Sequence, residues 1–148
     1  MKFLPLLGKR LKDDEVMDIL EIFDVEVIYD FDRLHENMPD AYWAHFKKQG
    51  FLLNFDAEQK LSTIFLYLED LEGFTPIATD QLEDIQVFRD VEEVKSHAAV
   101  HGFVFREGGQ REGESAKSWA RFDSSTTAIH YEFGGRKLIR ITIMVLAA

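Results

Sequence analysis

The chain's 148 residues fit one domain, and a composition of 46% hydrophobic and 13% aromatic residues can bury a core, which excludes a disordered chain. Its 27 acidic residues against 17 basic ones, a formal net charge of −10, disfavour direct contact with nucleic-acid phosphates and favour a basic partner. The absence of cysteine excludes disulfides, thiolate metal sites and cysteine nucleophiles together.

The opening "MKFLPLLGKRLKDDEVM" holds an apolar run too short for a signal peptide and broken by Gly8 and Lys9. No segment approaches the roughly 18 uninterrupted apolar residues of a membrane helix, so a soluble, cytoplasmic protein is expected. Residues 13–24, "DDEVMDILEIFD", place Val16, Ile19, Leu20 and Phe23 on one stripe of a helix that Asp13 can cap. A short strand follows in "VEVIYDF" (25–31), then a polar loop (32–40) and the tryptophan-containing run "AYWAHF". "FLLNF" and "LSTIFLYL" read as the next two strands, joined through "DAEQK". Gly73 and Pro76 then break "EDLEGFTPIATDQLED" (69–84) into a joint.

A second helix is expected over 90–101, where Asp90 and Glu93 form a capping-box pattern and Gly102 supplies a stop. "FVFRE" (103–107) is a short strand, "GGQREGESAK" (108–117) a surface loop, and "SWARF" a second tryptophan run. "IHYEF" and "LIRITIMVL" close the chain as a hairpin whose turn is given to Gly134 and Gly135, both expected at positive φ. The last of these strands is apolar on both beats except at Arg140 and Thr142, as a central strand should be.

The two halves share one order of elements at a near-constant spacing. Val94 follows Val16 by 94 − 16 = 78, Gly102 follows Asp24 by 78 and Phe133 follows Phe55 by 78, while Leu138 follows Leu61 by 77 and Trp119 follows Trp43 by 76. A helix with one apolar stripe and a meander with one apolar face require each other. The expected fold is therefore α+β, a two-layer sandwich on an antiparallel sheet. It is built from two pseudo-repeated helix–strand–loop–three-stranded-meander units, about 8–70 and 84–146, in a single domain spanning 1–148.

Tandem units of this kind resemble the fold of the β-lactamase-inhibitor protein and its outer-membrane assembly relatives, although no signal segment like that of the latter is expected from the opening run. The run "YWAHFKKQGFLLNFDAEQKLSTIFLYLEDLEGFTP" is also similar to small bacterial immunity proteins encoded beside polymorphic toxins. These resemblances imply a cytosolic protein that binds and neutralises a cognate toxin.

Candidate chemistry is sparse. His97 and His101 stand at i, i+4, a spacing able to share a metal, but no carboxylate lies between them, and a helix C-terminus is a favourable place for such side chains without metal. "DFD" at 30–32 can hold a cation or simply end a strand, and nothing nearby supplies phosphate-binding groups. Ser124, Ser125, Thr126 and Thr127 lack the glycine elbow of a nucleophile and read as a polar turn. Phe46, Phe51, Phe55, Phe65, Tyr67, Tyr131 and Phe133 alternate as a core face. Trp43 and Trp119 suit either a core or an interface. No metal, cofactor or catalytic role is assigned.

Charge is the more informative signal. Nine acids face only Arg89 between residues 69 and 93, and eleven face only Arg33 between 13 and 40, whereas 94–148 carries eight bases to five acids. Such asymmetry steers a basic partner. The expectation is a non-enzymatic immunity protein that occludes the active site or substrate entry of a basic toxin. Its contacts are expected at Asp30, Asp32 and Glu36 in the first loop and at Glu69, Asp70, Glu72 and Asp84 around the joint. The alternative is a small-ligand or peptide-binding module with a pocket between helices and sheet.

Overall fold

In the computed structural model, which describes residues 1–31, 37–109 and 116–146, the stripe of Val16 and Leu20 is buried on a helix, α1, over Asp14–Ile22. Asp13 stands at its N-cap, yet its carboxylate accepts from the Arg10 backbone N–H at 2.8 Å and caps no helical N–H. Asp24, at φ 52°, turns the chain out of the helix, and the Val25 N–H closes onto the Leu20 carbonyl at 3.0 Å.

Four strands follow: β1 at Val27–Asp30, β2 at Ala41–Phe46, β3 at Phe51–Phe55 and β4 at Leu61–Tyr67. The second helix, α2, spans Val91–His101 and opens on the expected Asp90 cap, with the Glu93 side chain reaching back one residue further than in a capping box, to Arg89. The Asp90 carboxylate accepts from the Glu93 N–H at 2.9 Å, while the Glu93 carboxylate takes the Arg89 N–H. Gly102 ends it at φ 69°, with the Phe103 N–H on the Ala98 carbonyl at 2.9 Å. Then come β5 at Val104–Gly109, β6 at Lys117–Asp123, β7 at Thr127–Gly134 and β8 at Lys137–Val145.

All eight strands form one antiparallel sheet in the order β1-β2-β3-β4-β8-β7-β6-β5. The architecture is α+β with both helices on one face. Val16 and Leu20 of α1, and Val91, Val94 and Ala98 of α2, share a single core with Phe46, Leu53, Ile64, Tyr131 and Ile141 of the sheet. Tyr131 brings a hydroxyl into that core and donates it to the Gln86 carbonyl at 2.8 Å, and burial pushes its pKa up. The register slips by one residue between Asn54 and Phe55 against β4, and again between Glu132 and Phe133 against β8. Each slip is a bulge.

The hairpin turn after β7 departs from expectation. Only Gly135 takes a positive φ, 64°, while Gly134 is the last residue of the strand. A side chain at Gly134 would press on Ile139, the extra residue of the β8 bulge, at 3.3 Å.

The joint is packed on both sides of the sheet. Glu72 and Gly73 take positive φ in a tight turn that carries Phe74 onto the face away from the helices. Ile77, Leu82, Ile85 and Phe88 then enter the main core on the helix side. The crossing passes so close to Gly50 (φ 87°) that a Cβ there would lie 2.5 Å from the Thr75 carbonyl oxygen.

Candidate protein-interaction face

Neither helix contributes to the second face of the sheet. Its side chains fall into cross-strand rows fixed by the register. One row reads His45, Leu52, Phe65, Thr142, His130, Arg121 and Arg106. A second reads Tyr67, Arg140, Glu132, Trp119 and Gly108, and a third begins with Ile28, Trp43 and Asn54. Phe65 and Tyr67 therefore face away from the main core, which corrects their expected place in it. Ile64 and Leu66 take the helix side instead, and Tyr67 joins Leu52 and Phe74 in a separate small cluster flanked by Trp43, Phe65 and Leu71.

The two tryptophans stand on opposite wings. Trp43 lies parallel to the His45 ring (8° between planes) and Trp119 stacks on His130 at 5.3 Å. Trp119 sits against Gly108, where any Cβ would come within 2.7 Å of the indole. Burial lowers the pKa of His130, with the Glu132 charge opposing and Arg121 and Arg140 reinforcing; burial and then Lys47 lower that of His45. Both shifts favour the neutral imidazole.

Arg140 joins the halves of the face. Its Nη2 lies 2.9 Å from Glu132 Oε2, its Nη1 lies 3.5 Å from Glu72 Oε1, and its guanidinium stands 6.0 Å from the centre of the Tyr67 ring. The Tyr67 hydroxyl donates to Glu72 at 3.2 Å, and burial first, then Glu72, raises its pKa. Arg121 is held by Asp123 at 2.7 Å. Both guanidinium side chains keep 26% exposure, so each is oriented by a carboxylate while a flank stays open to solvent. Aromatic rings and fixed guanidinium groups on a strand scaffold are the side chains that anchor protein interfaces.

The acids expected as partner contacts, in the first loop and at the joint, stand as follows among the described residues. Asp30 ends β1 beside Ala41, one residue beyond the row of Tyr29, Tyr42, Phe55 and Leu61. Glu69 and Asp70 follow Tyr67 at the opposite end of the strands, and Glu72 there is engaged by Tyr67 and Arg140. Asp84 lies on the helix side, where its two carboxylate oxygens accept the backbone N–H groups of Phe3 and Leu4 at 3.0 and 2.8 Å. Asp32 and Glu36 lie outside the described residues, as does most of the 108–117 loop.

Among the described residues no group of three or more His, Asp or Glu gathers in metal-binding geometry. His101 Nδ1 is spent locally on the His97 carbonyl at 2.9 Å. The space between helices and sheet is filled by side chains, with Phe46, Phe55, Leu53, Ile64 and Ile141 at zero exposure. An open groove of about 540 Å³ runs outside it, along α2 past Phe88, Glu93, His97 and Val100. No helix among the described residues is long and apolar enough to cross a membrane.

Arg121 and His130 were not singled out by sequence reasoning, and Arg140 was noted only as a polar exception in the last strand. The signal was present as the off-beat of the alternation in "SWARFD", "IHYEFG" and "LIRITIM", whose on-beat residues make the core. Comparison with known proteins finds no matching family model, no matching curated protein and no matching solved structure.

Proposed function

We propose that this protein is a non-enzymatic, cytoplasmic immunity protein that binds a cognate bacterial toxin through the helix-free face of its sheet and blocks the toxin's active site or substrate entry. One observation carries the reading: an eight-stranded sheet whose second face carries no helix and is roofed only at one end, over Leu52 and Tyr67, by Phe74, with Trp43, Trp119, Arg121 and Arg140 partly exposed on the rest. The net charge of −10 favours a basic toxin, and the exposed Asp30 and Asp70, with Glu69, remain available at the ends of the strands to steer it.

We also propose that the two halves are copies of one unit. The strand order is symmetric about the β4–β8 pair. Both helices end on a left-handed residue, Asp24 and Gly102, followed by matched closing bonds, Val25 to Leu20 and Phe103 to Ala98, each 78 residues apart. The two bulges, at Asn54/Phe55 and Glu132/Phe133, are separated by the same 132 − 54 = 78. The one-residue difference in spacing after them falls in the hairpins, where Leu61 and Leu138 stand opposite Phe55 and Phe133.

The test is co-expression with the product of the adjacent gene, followed by calorimetry and a growth-rescue assay. Binding with rescue is expected, and Trp43→Ala or Trp119→Ala should each weaken it by about 30-fold or more, the effect of losing an aromatic hot spot. A neighbouring toxin that is neither bound nor neutralised by the folded protein would sink the proposal.

A further inference from the structure

Ten large apolar side chains are exposed among the described residues, and three of them, Ile28, Tyr29 and Phe31, lie on or next to β1. This strand is one edge of the sheet, with no described strand on its outer side. Edge strands of monomeric proteins are ordinarily defended by lysine, proline, bulges or shortness. The opposite edge, β5, carries Arg106 and Glu107 and finishes in Gly108-Gly109, where Gly109 turns to φ 90°. β1, "VIYD", is short but has neither lysine nor proline, and no register slip against β2.

The strand is also prepared. Tyr29 stacks on Tyr42 at 4.9 Å and donates its hydroxyl to Asp40 at 2.7 Å, a bond that pushes its pKa up to about 12. On the other side of the pleat, Ile28 stands beside Trp43. A strand laid along β1 would therefore meet an apolar residue on each face. Its flanks would meet acid, because Asp24, Glu26 and Asp30 are exposed. Pairing β1 with β1 of a second copy would bring these carboxylates together, which disfavours self-association.

We propose that β1 accepts an added strand from the partner: an extended segment that alternates lysine or arginine with apolar residues. Main-chain hydrogen bonds along the edge supply affinity, and Ile28, Tyr29 and the surrounding acids select the side chains. The proposal rests on the reading of this protein as the binder of a basic partner, and gives that partner a conformation and a point of entry.

The experiment uses the full chain and a short fluorescent peptide alternating lysine and valine, with a glutamate–valine counterpart. Binding is read by anisotropy and by amide hydrogen exchange. The lysine peptide should bind and, at ten times its Kd, slow exchange along Val27–Asp30 by about tenfold. Ile28→Lys, which places a charge on an exposed position, should abolish binding, while Ile28→Thr should retain it; Asp30→Lys should weaken it by about tenfold or more. Equal binding of the glutamate peptide, protection at β5 instead of β1, or slowed β1 exchange in a peptide-free dimer would each overturn the inference. A toxin bound equally well by wild type and Ile28→Lys would also overturn it, and would leave the immunity reading standing. Docking of the lysine peptide on β1 without any binding of the neighbouring gene product would support it while the immunity reading falls.

Discussion

The half running from α1 to β4 and the half running from α2 to β8 follow the same order of elements, and they differ in how those elements are finished. α2 is capped at both ends by side chain and glycine, whereas α1 has no side-chain cap bond and leaves through Asp24 in the left-handed region. The outer edge of the first half is a four-residue strand with exposed Ile28 and Tyr29, while that of the second is a six-residue strand with Arg106 and Glu107. On the helix-free face the first half is aromatic and roofed at one end by Phe74, and the second is studded with ion-paired arginine. The order of elements is shared, and the finish differs. The second is locally well closed, and the first keeps apolar edge and acid available.

The comparison is tested most strongly in the core. Phe55 and Phe133 sit 78 residues apart at the two bulges with 0% and 2% exposure. Each Phe→Ala substitution should cost about 3–5 kcal/mol, read from urea unfolding. Losses that differ by more than the spread of that range would mean that the two sites are packed by different rules.

A smaller effect breaks the equivalence deliberately. Gly50→Ala should destabilise by about 2–3 kcal/mol, because its φ of 87° strains an L residue and the new methyl meets the Thr75 carbonyl oxygen. The position 78 residues later already holds alanine, Ala128, fully buried. A neutral Gly50→Ala, measured by the same unfolding, would show that the 75–77 crossing moves aside at little cost.

Smaller again is the helix exit. Asp24→Gly copies the Gly102 cap into the first half and should raise stability by about 0.5 kcal/mol, the relief of a left-handed non-glycine residue offset by the greater freedom of the unfolded chain. Loss of stability would instead indicate that the aspartate at this exit contributes something beyond its backbone conformation.

Much of this frame was legible because local chemistry specified it. "FLLNF" is β3 from end to end, and the Asp90 cap and Gly102 bound α2 as their residue types require. The face of Phe65 and Tyr67 was not legible, since "IFLY" is apolar on both beats and period two then selects neither side. Nor was the scatter of the acids. Asp84 finds its partners at Phe3, 81 positions away, and Leu4, and the separation of Asp30 from Glu69 and Asp70 is a matter of strand register. Charge density along a sequence does not report which ends of a sheet the charges reach.

The weakest test concerns protons. Leu52 in the first half corresponds at the 78-residue spacing to His130 in the second, and both lie on the helix-free face in the same cross-strand row. Burial holds the His130 pKa below its ordinary value of about 6.5. The unfolded chain therefore takes up a proton near pH 6.5 that the native protein still refuses, so the native state loses stability as pH falls through about 6.5 and loses no more once its own imidazole protonates. Above that window the residue makes no pH-dependent contribution. His45 and His97, lowered mainly by burial, act in the same direction. The urea midpoint should thus fall between about pH 7.5 and about pH 5.5. His130→Leu, which gives the second half the residue of the first, should reduce that fall without removing it. A mutant with an undiminished slope would place the whole pH response on His45 and His97, and would leave the exchange of leucine for histidine between the halves without electrostatic consequence.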